Sequence, residues 1–223
     1  YIDGKKEGLE SSWYINGQIK SEDNWKGGKN DGLSKKWYEN SQIKEEGNYI
    51  NGKKDGIWKT YYENGELENE GSYLDGKING IWKIYHKNGQ LSSEGNYING
   101  EVDGLLKSWY ESGQFRGEIN FKIGKNDGSV KLYHENGKIR SESNYINGEK
   151  EGLHRWWYEN GQLDSEDNWK DGKEDGLSKS YKENGDLSWT TNYRNGKKDG
   201  ISKHYYEGKI LFTTEYKDGE EIE

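Results

Sequence analysis

Apolar, polar and glycine positions along this chain follow a pattern that repeats every 24 residues. Aromatic residues occupy every twenty-fourth position from Tyr1 to Tyr193, and two series of glycines do the same, starting at Gly4 and Gly8. Strict self-similarity at this period is typical of stacked repeats, in which each unit buries its apolar face against its neighbours. The pattern predicts a single array of about nine repeats over residues 1–223. Its units start near 1, 25, 49, 73, 97, 121, 145, 169 and 193, with a partial tenth from 216.

Each repeat contains two turn signals, which the unit at 49–72 illustrates. Asn64-Gly65 lies between alternating segments, the pattern of a hairpin with a type I′ turn, which needs positive φ at both central residues. The segment Asn51–Gly56 predicts a looser polar loop whose two glycines suit left-handed conformations. Each unit is therefore predicted to contribute two strands of about six to eight residues to an antiparallel meander.

A two-residue turn at Asn64-Gly65 sets the pairing of the two strands. It places Tyr62 opposite Leu67 and Lys59 opposite Glu70. The second pair recurs as Lys35–Glu46, Lys83–Glu94, Lys107–Glu118, Lys131–Glu142 and Arg155–Glu166. Opposite charges across a ladder contribute roughly 0.2–1 kcal/mol each. Since a slip by one residue would separate all of them, their recurrence supports this register.

Composition narrows the fold class. Hydrophobic residues make up only 28% of the chain and half of that share is aromatic, at 14%, against an apolar content of about 45–50% in ordinary globular chains. Strand formers and glycine suit a thin sheet, and nothing in the pattern supplies helices to cover it. A disordered chain would not hold aromatics and glycines in register. We expect an all-β fold: an elongated, single-layer antiparallel meander of stacked β-hairpins.

Charge and residue content limit the partners. The net charge is −8, with lysines and acidic residues interspersed, which disfavours nucleic acid and strong membrane binding because both select clustered basic residues. The absence of cysteine excludes disulfides and thiolate metal sites. The sequence begins inside a repeat at Tyr1 and contains no methionine, so we expect a fragment or a processed form.

Few residues in the sequence point to catalysis or to metal binding. His86 and His134 occupy positions that hold tyrosine in other repeats, and they lie too many strands apart to share an ion. The acidic residue before the second glycine, such as Asp55, recurs as a calcium ligand would, but neighbouring lysines would repel a cation, and such residues are common in tight turns. We therefore expect no enzyme activity, no metal site and no cofactor.

Two groups of residues are candidates for binding. The first is a ladder of rings along a groove, formed by Tyr14, Tyr38, Tyr62, Tyr110 and Tyr158. Such rings can stack on sugars, quaternary amines or protein side chains, although they also belong to the only core that a single layer has. The second is an apolar patch in the middle repeats, predicted to bind a partner and formed by Trp58, Trp82, Ile84, Leu106, Val130 and Trp156.

The repeat itself resembles a known family. The segments NGKKDGIWKTYYENGELENEG (51–71) and DGKINGIWKIYHKNGQLSSEG (75–95) resemble the MORN-repeat variant of bacterial proteins, and the resemblance covers essentially the whole chain. It implies β-hairpin units stacked into an elongated, groove-forming sheet. Many bacterial members are associated with the antitoxin half of toxin–antitoxin pairs, and MORN proteins more broadly serve as scaffolds and membrane-associated adaptors. Three departures stand out: Ser41 at the turn glycine, Ser129 at a Leu/Ile position, and Glu207-Gly208 at the last turn.

These observations favour a non-enzymatic scaffold that binds a protein partner through its sheet surface, and the resemblance implies a toxin as that partner. One alternative is a cell-surface module that binds carbohydrate or choline through its aromatic ladder. Another is a purely structural spacer. The location depends on the function, since an antitoxin would be cytoplasmic, whereas a chain that had lost a leader would be periplasmic or on the cell surface.

Overall fold

The computed structural model describes residues 1–222, and it confirms the all-β fold. These residues divide into two compact units, one of residues 1–113 and one that begins at Gln114. The first unit contains the strands β1 (Gly8–Trp13), β2 (Ile19–Lys26), β3 (Lys29–Trp37), β4 (Ile43–Ile50), β5 (Lys53–Tyr61), β6 (Leu67–Leu74), β7 (Lys77–Tyr85), β8 (Leu91–Ile98), β9 (Glu101–Val102) and β10 (Gly104–Trp109).

The second unit has the same organisation. Its strands are β11 (Phe115–Lys122), β12 (Lys125–Tyr133), β13 (Ile139–Ile146), β14 (Glu149–Lys150), β15 (Gly152–Trp157), β16 (Leu163–Lys170), β17 (Lys173–Glu174), β18 (Gly176–Tyr181), β19 (Leu187–Arg194), β20 (Lys197–Lys198), β21 (Gly200–Tyr206), β22 (Lys209–Lys217) and β23 (Glu220–Ile222). Within each unit, neighbouring long strands pair antiparallel, so each unit is a meander of hairpins without crossovers. A short strand such as β9 or β14 and the strand that follows it both pair with the strand before them.

The predicted charge pairs are present within each unit. Lys59 lies opposite Glu70 in the β5–β6 ladder, with the ammonium nitrogen 3.7 Å from a carboxylate oxygen. The equivalent pairs are Lys35–Glu46, Lys83–Glu94, Lys131–Glu142 and Arg155–Glu166. Glu46 also faces Lys59 across the β4–β5 ladder. The register at these positions is therefore the one that the sequence predicts.

The turn types are the reverse of the prediction. At Asn64-Gly65 the amide of Gly65 donates to the Tyr62 carbonyl, and the Tyr62 amide donates to the Glu66 carbonyl. Only Gly65 has positive φ there, so the loop is a three-residue turn with a left-handed glycine. The two-residue turn with positive φ at both positions is Asn51-Gly52, between the paired residues Ile50 and Lys53. The predicted loose loop is thus the tight turn.

An extra residue in the strand compensates for the extra residue in the turn. Tyr61, and not Tyr62, pairs with Leu67, after which the pairing jumps to Thr60 with Asn69. Glu68 is left unopposed as a β-bulge. The bulge restores the register that a two-residue turn would have given, which is why Lys59 and Glu70 still meet.

The sheet in the first unit has two distinct faces. The aromatic face carries Tyr49, Trp58 and Tyr73, whose rings pack edge to face, with centroids 5.0 Å apart for Tyr49 and Trp58 and 6.2 Å apart for Trp58 and Tyr73. The opposite face, here called the pair face, carries the Lys59–Glu70 pair and Ile57. The most buried side chains belong to the aromatic face, because glycines on neighbouring strands let the indoles lie flat on the backbone.

Candidate functional site

The predicted apolar patch consists largely of core residues. Trp58, Trp82 and Val130 are buried, with 1%, 9% and 7% of their surface exposed, and Leu106 is half-buried. Trp58 also donates its indole N–H to the carbonyl of Asn48. The sequence pattern predicts which positions are apolar but not which are covered, and here neighbouring strands of the single layer cover them. These side chains pack the aromatic face and do not form an exposed surface.

The two remaining residues of the patch are more accessible. Ile84, on the aromatic face of the first unit, is 37% exposed. Trp156, in the second unit, is half-buried beside His154, and the ammonium group of Lys150 lies 5.2 Å from the centre of its ring. Trp156 is therefore the aromatic member of the patch that a ligand can reach.

The ladder tyrosines join consecutive repeats along one edge of the sheet. The hydroxyl of Tyr38 donates to the carbonyl of Tyr61, and that of Tyr62 donates to the carbonyl of Tyr85, each at 2.8 Å. Tyr14 and Tyr158 bond in the same way to Trp37 and Tyr181, and Tyr110 is half-buried at the equivalent position. Burial raises the pKa of Tyr38 and Tyr62. The polar end of each ring thus stabilises the array.

The histidines at ladder positions take over the same structural role. The Nε2 atom of His86 lies 3.0 Å from the carbonyl of Trp109, and that of His134 lies 2.7 Å from the carbonyl of Trp157. A carbonyl oxygen only accepts, so both rings carry their proton on Nε2 in this arrangement. Within residues 1–222, no three His, Asp or Glu side chains are grouped closely enough to hold a metal ion.

The recurring acidic residue caps a turn in the next repeat. A carboxylate oxygen of Asp31 accepts the amide of Asn51, and Glu151 and Asp175 accept the amides of Asp171 and Asn195. Each acceptor precedes its donor by 20 residues. The first residue of the two-residue turn is thereby held by the preceding repeat, which accounts for the acidic position without a cation.

An exposed apolar surface lies on the pair face, one position before the predicted patch. In the first unit it is a row of aliphatic side chains at equivalent positions of alternate strands: Leu9, Leu33, Ile57, Ile81 and Leu105. In the second unit the same positions hold Leu153, Leu177 and Ile201. We call these side chains the aliphatic row. Ile57 and Ile81 are 66% and 52% exposed.

Shallow depressions lie along the aliphatic row. In the first unit, Ile57 and Ile81 flank a depression of about 340 Å³ with Ser72 and Lys83 at its rim. In the second unit, Leu177 and Ile201 flank one of about 440 Å³. The row is bordered by the Lys–Glu pairs, so it combines apolar contact area with both signs of charge.

A concavity lies at the turn edge of the second unit and is here called the turn groove. It measures about 570 Å³ and is lined by His134, Arg140, Trp156, Trp157, Tyr158, Glu159, Asn160, Asp164 and Glu183. Asp164 is half-buried at the β-bulge of β16, and its carboxylate beside the Tyr158 hydroxyl raises the pKa of that tyrosine. The groove brings Trp156 of the patch together with His134 and Tyr158 of the ladder positions.

A comparison with protein families shows which family the chain belongs to. A profile described as MORN repeat variant matches seven consecutive segments, at residues 6–26, 30–51, 54–75, 78–99, 102–122, 126–147 and 150–171. These segments cover more than half of the sequence. The chain belongs to the MORN repeat variant family.

The MORN geometry continues beyond the matched segments. In β18 and β19, Gly176 pairs with Tyr193 as Gly56 pairs with Tyr73 in the first unit, although residues 172–222 lie outside the match. The turn at Glu207-Gly208, which lacks the usual asparagine, has positive φ at both residues and is therefore a two-residue turn. Ser41 keeps the three-residue turn, since its amide donates to the Tyr38 carbonyl, and Ser129 lies within β12 opposite Asn144. Of these departures from the MORN pattern, only Glu207-Gly208 changes a turn.

No curated protein matches the chain. Solved structures that align with it include the TcdB2-TccC3-Cdc42 complex, at 11% identity with a TM-score of 0.23, and the TcdB2-TccC3-TEV structure, at 13% identity with a TM-score of 0.22. The alignments cover 92% of this MORN chain but only 14% and 11% of the two solved chains. TM-scores this low carry no argument about fold or function.

The sequence pattern missed the aliphatic row and the turn groove. Leu9, Ile57 and their equivalents are visible in the repeat, but their exposure follows from the absence of a second layer over the pair face in either unit. The groove depends on Arg140 and Asp164, which occupy bulge positions that a two-residue turn would not have created. No helix in residues 1–222 is long and apolar enough to cross a membrane.

Proposed function

We propose that this MORN repeat chain is a non-enzymatic scaffold that binds a protein partner through the pair face of its sheet. The observation that carries the proposal is the aliphatic row. Side chains such as Ile57 and Ile81 stand exposed at regular intervals, between charged pairs of both signs. Burying one such side chain contributes about 1.5–3 kcal/mol, so a few of them supply most of the driving force of a specific complex.

Electrostatics favours a protein over a lipid surface. The net charge of −8 repels anionic headgroups, and the lysines of the pair face are already paired with glutamates. A protein surface with an apolar patch and scattered charges of both signs matches such a face. Within this proposal the family resemblance makes a toxin the first partner to test, with the chain as its neutralising antitoxin.

The experiment compares the chain with a variant of the aliphatic row. Serine occupies the equivalent position at Ser129, so Ile57→Ser combined with Ile81→Ser is a substitution that the repeat tolerates. A partner recovered with the unmodified chain is purified, and its affinity for both proteins is measured by calorimetry. We expect the double variant to bind at least about tenfold more weakly, because a loss of 1.4 kcal/mol suffices for that factor.

Controls separate this function from its alternatives. Ile15→Ser removes a fully exposed aliphatic side chain from a turn, away from the row, and should leave the affinity unchanged. A recovered partner that arrests growth when produced alone, but not together with the chain, is a toxin. Unchanged affinity of the double variant refutes the proposed surface, and recovery of no partner at all favours the spacer function.

A further inference from the structure

The turn groove of the second unit differs from the corresponding edge in other repeats. We propose that it binds the guanidinium group of an arginine side chain presented by a protein partner, an inference that rests on the proposed protein-binding function. The groove combines aromatic rings, acidic residues and a basic residue in one concavity of about 570 Å³. Each of these features restricts the ligand.

The aromatic wall selects a flat, weakly hydrated group. Trp156, Trp157 and Tyr158 all line the groove. A guanidinium plane stacks on such rings more readily than a strongly hydrated ammonium does. The position of Trp156 holds a small or aliphatic side chain, or lysine, in most other repeats: Ser12, Lys36, Thr60, Ile84, Ser108, Leu132 and Ser180. Trp156 is therefore the member of the wall that is particular to this repeat, whereas Trp157 and Tyr158 have aromatic equivalents in other repeats.

Acidic residues in the groove favour a cationic ligand. Glu159, Asp164 and Glu183 line the groove, and none of the three forms an ion pair in the described part of the chain. The Tyr158 hydroxyl donates at 2.8 Å to the carbonyl of Tyr181 and lies beside Asp164. Oxygens of Asp164 therefore remain as acceptors, and a guanidinium offers five N–H donors in a fork that fits a carboxylate.

A basic residue in the groove favours a peptide over a small free cation. Arg140 also lines the groove, and Lys138, two residues earlier in the chain, donates to the carbonyl of Asn160 at 2.7 Å. A ligand that reaches from Asp164 to Arg140 must carry acceptors as well as a cation. The backbone carbonyls of the arginine's own chain provide them, whereas choline carries only a single hydroxyl.

Titration of the unmodified full chain with Nα-acetyl-arginine amide tests the proposal without any partner. Binding is followed by NMR through the indole N–H signals. We expect saturable shifts of the Trp156 and Trp157 signals, with an affinity in the millimolar range for so small a ligand. The neutral citrulline analogue, which has nearly the same shape, should bind at least about tenfold more weakly because it lacks the charge. Equal binding of citrulline, tighter binding of choline, or no shift with arginine overturns the proposal.

Variants taken from other repeats locate the site. Serine stands at the equivalents of Asp164 and of Trp156, at Ser92 and Ser12, so Asp164→Ser and Trp156→Ser suit the fold. Each should weaken arginine binding about tenfold. Glu68→Ser, the same change at the equivalent bulge of the first unit, should have no effect. An Asp164→Ser variant that binds arginine as tightly as the unmodified chain refutes the site.

The test distinguishes this inference from the proposed function. The Ile57→Ser and Ile81→Ser double variant alters the aliphatic row of the first unit and should bind arginine amide normally. If the double variant binds the partner with unchanged affinity while arginine amide still binds the unmodified chain, the row is wrong and the groove stands. If arginine amide does not bind the unmodified chain while the double variant still binds the partner more weakly, the groove is wrong and the scaffold function stands.

Discussion

Gly47 and Trp58 fit together only because Gly47 has no side chain: a Cβ at Gly47 would lie 2.2 Å from Cδ2 of the Trp58 ring. The same relationship holds for Gly71 and Trp82, also at 2.2 Å. Where the tryptophan position holds serine, the glycine position holds a polar residue, and Ser34 donates to Asp23 at 2.6 Å. The core of the aromatic face is thus built from complementary neighbours on adjacent strands.

We expect Gly47→Ala to destabilise the protein by about 1–3 kcal/mol, since the added methyl group must displace the indole. Trp58→Ser alone removes a buried ring and should cost about 3–5 kcal/mol. The two changes together should cost less than their sum, because serine leaves room for the methyl group. Urea unfolding of the four proteins measures the coupling. Strict additivity would show that the two residues do not depend on each other, and Asn48→Ala serves as an exposed control in the same strand.

The backbone conformation of Ile123 is unfavourable for isoleucine. It has φ +47° in a two-residue turn, where the equivalent residues Asn51, Asn99 and Asn147 have φ of 52–53°. A β-branched residue is strained there, while asparagine tolerates it. Ile123→Asn should therefore stabilise the second unit by about 1 kcal/mol, seen as a higher urea midpoint. The reverse change, Asn147→Ile, should lower the midpoint by a similar amount, and an unchanged midpoint in both would contradict the strain.

His86 should be replaceable by tyrosine but not by phenylalanine. Its Nε2 atom bonds to the carbonyl of Trp109, as the Tyr62 hydroxyl does to Tyr85. His86→Tyr keeps a donor at this place, whereas His86→Phe leaves the carbonyl without one and should cost about 1 kcal/mol. Tyr62→Phe is the matched control and should cost a similar amount. Thermal unfolding measures all three, and equal stability of the tyrosine and phenylalanine variants would rule out a structural role for the bond.

His154 should make stability fall in mild acid. Its side chain is fully buried and donates from Nε2 to the carbonyl of Asn144, and Nδ1 has no partner among the described residues. Burial lowers its pKa, which the hydrogen bond to Asn144 opposes in part, and the nearby Lys150 lowers the pKa further. The unfolded chain takes up a proton near pH 6.5 while the folded chain does not, so protonation favours unfolding as the pH falls below about 6.5.

The measurement compares urea midpoints at about pH 7.5 and 5.5. The unmodified chain should lose more stability between the two than His154→Leu, which carries the residue found at the equivalent Leu106. Identical pH dependence of both proteins would show that His154 does not titrate on unfolding.

The register could be predicted from the sequence because charges mark it, as Lys59 and Glu70 do. The turn types could not, since Asn-Gly serves both as a type I′ turn and as the end of a three-residue loop. Which of these two turns is formed depends on the bulge at Glu68, and no residue type in the sequence identifies the bulge. It was harder still to predict which apolar residues are buried. Trp58 and Ile57 are adjacent and both apolar, yet one is 1% and the other 66% exposed. Only the packing of neighbouring strands distinguishes the two faces of a single layer.

The carboxylate that caps a turn 20 residues later has a consequence for how such a chain can change in length. In the first unit, Asp31 holds the turn of the following repeat, and at the other edge Asn40 donates to the carbonyl of Glu63. Removal of one residue between these positions would misalign both edges at once. Removal or duplication of 24 residues would leave every donor facing an equivalent acceptor. The array can therefore be lengthened or shortened by whole repeats, in evolution or by design, while each junction keeps its bonds.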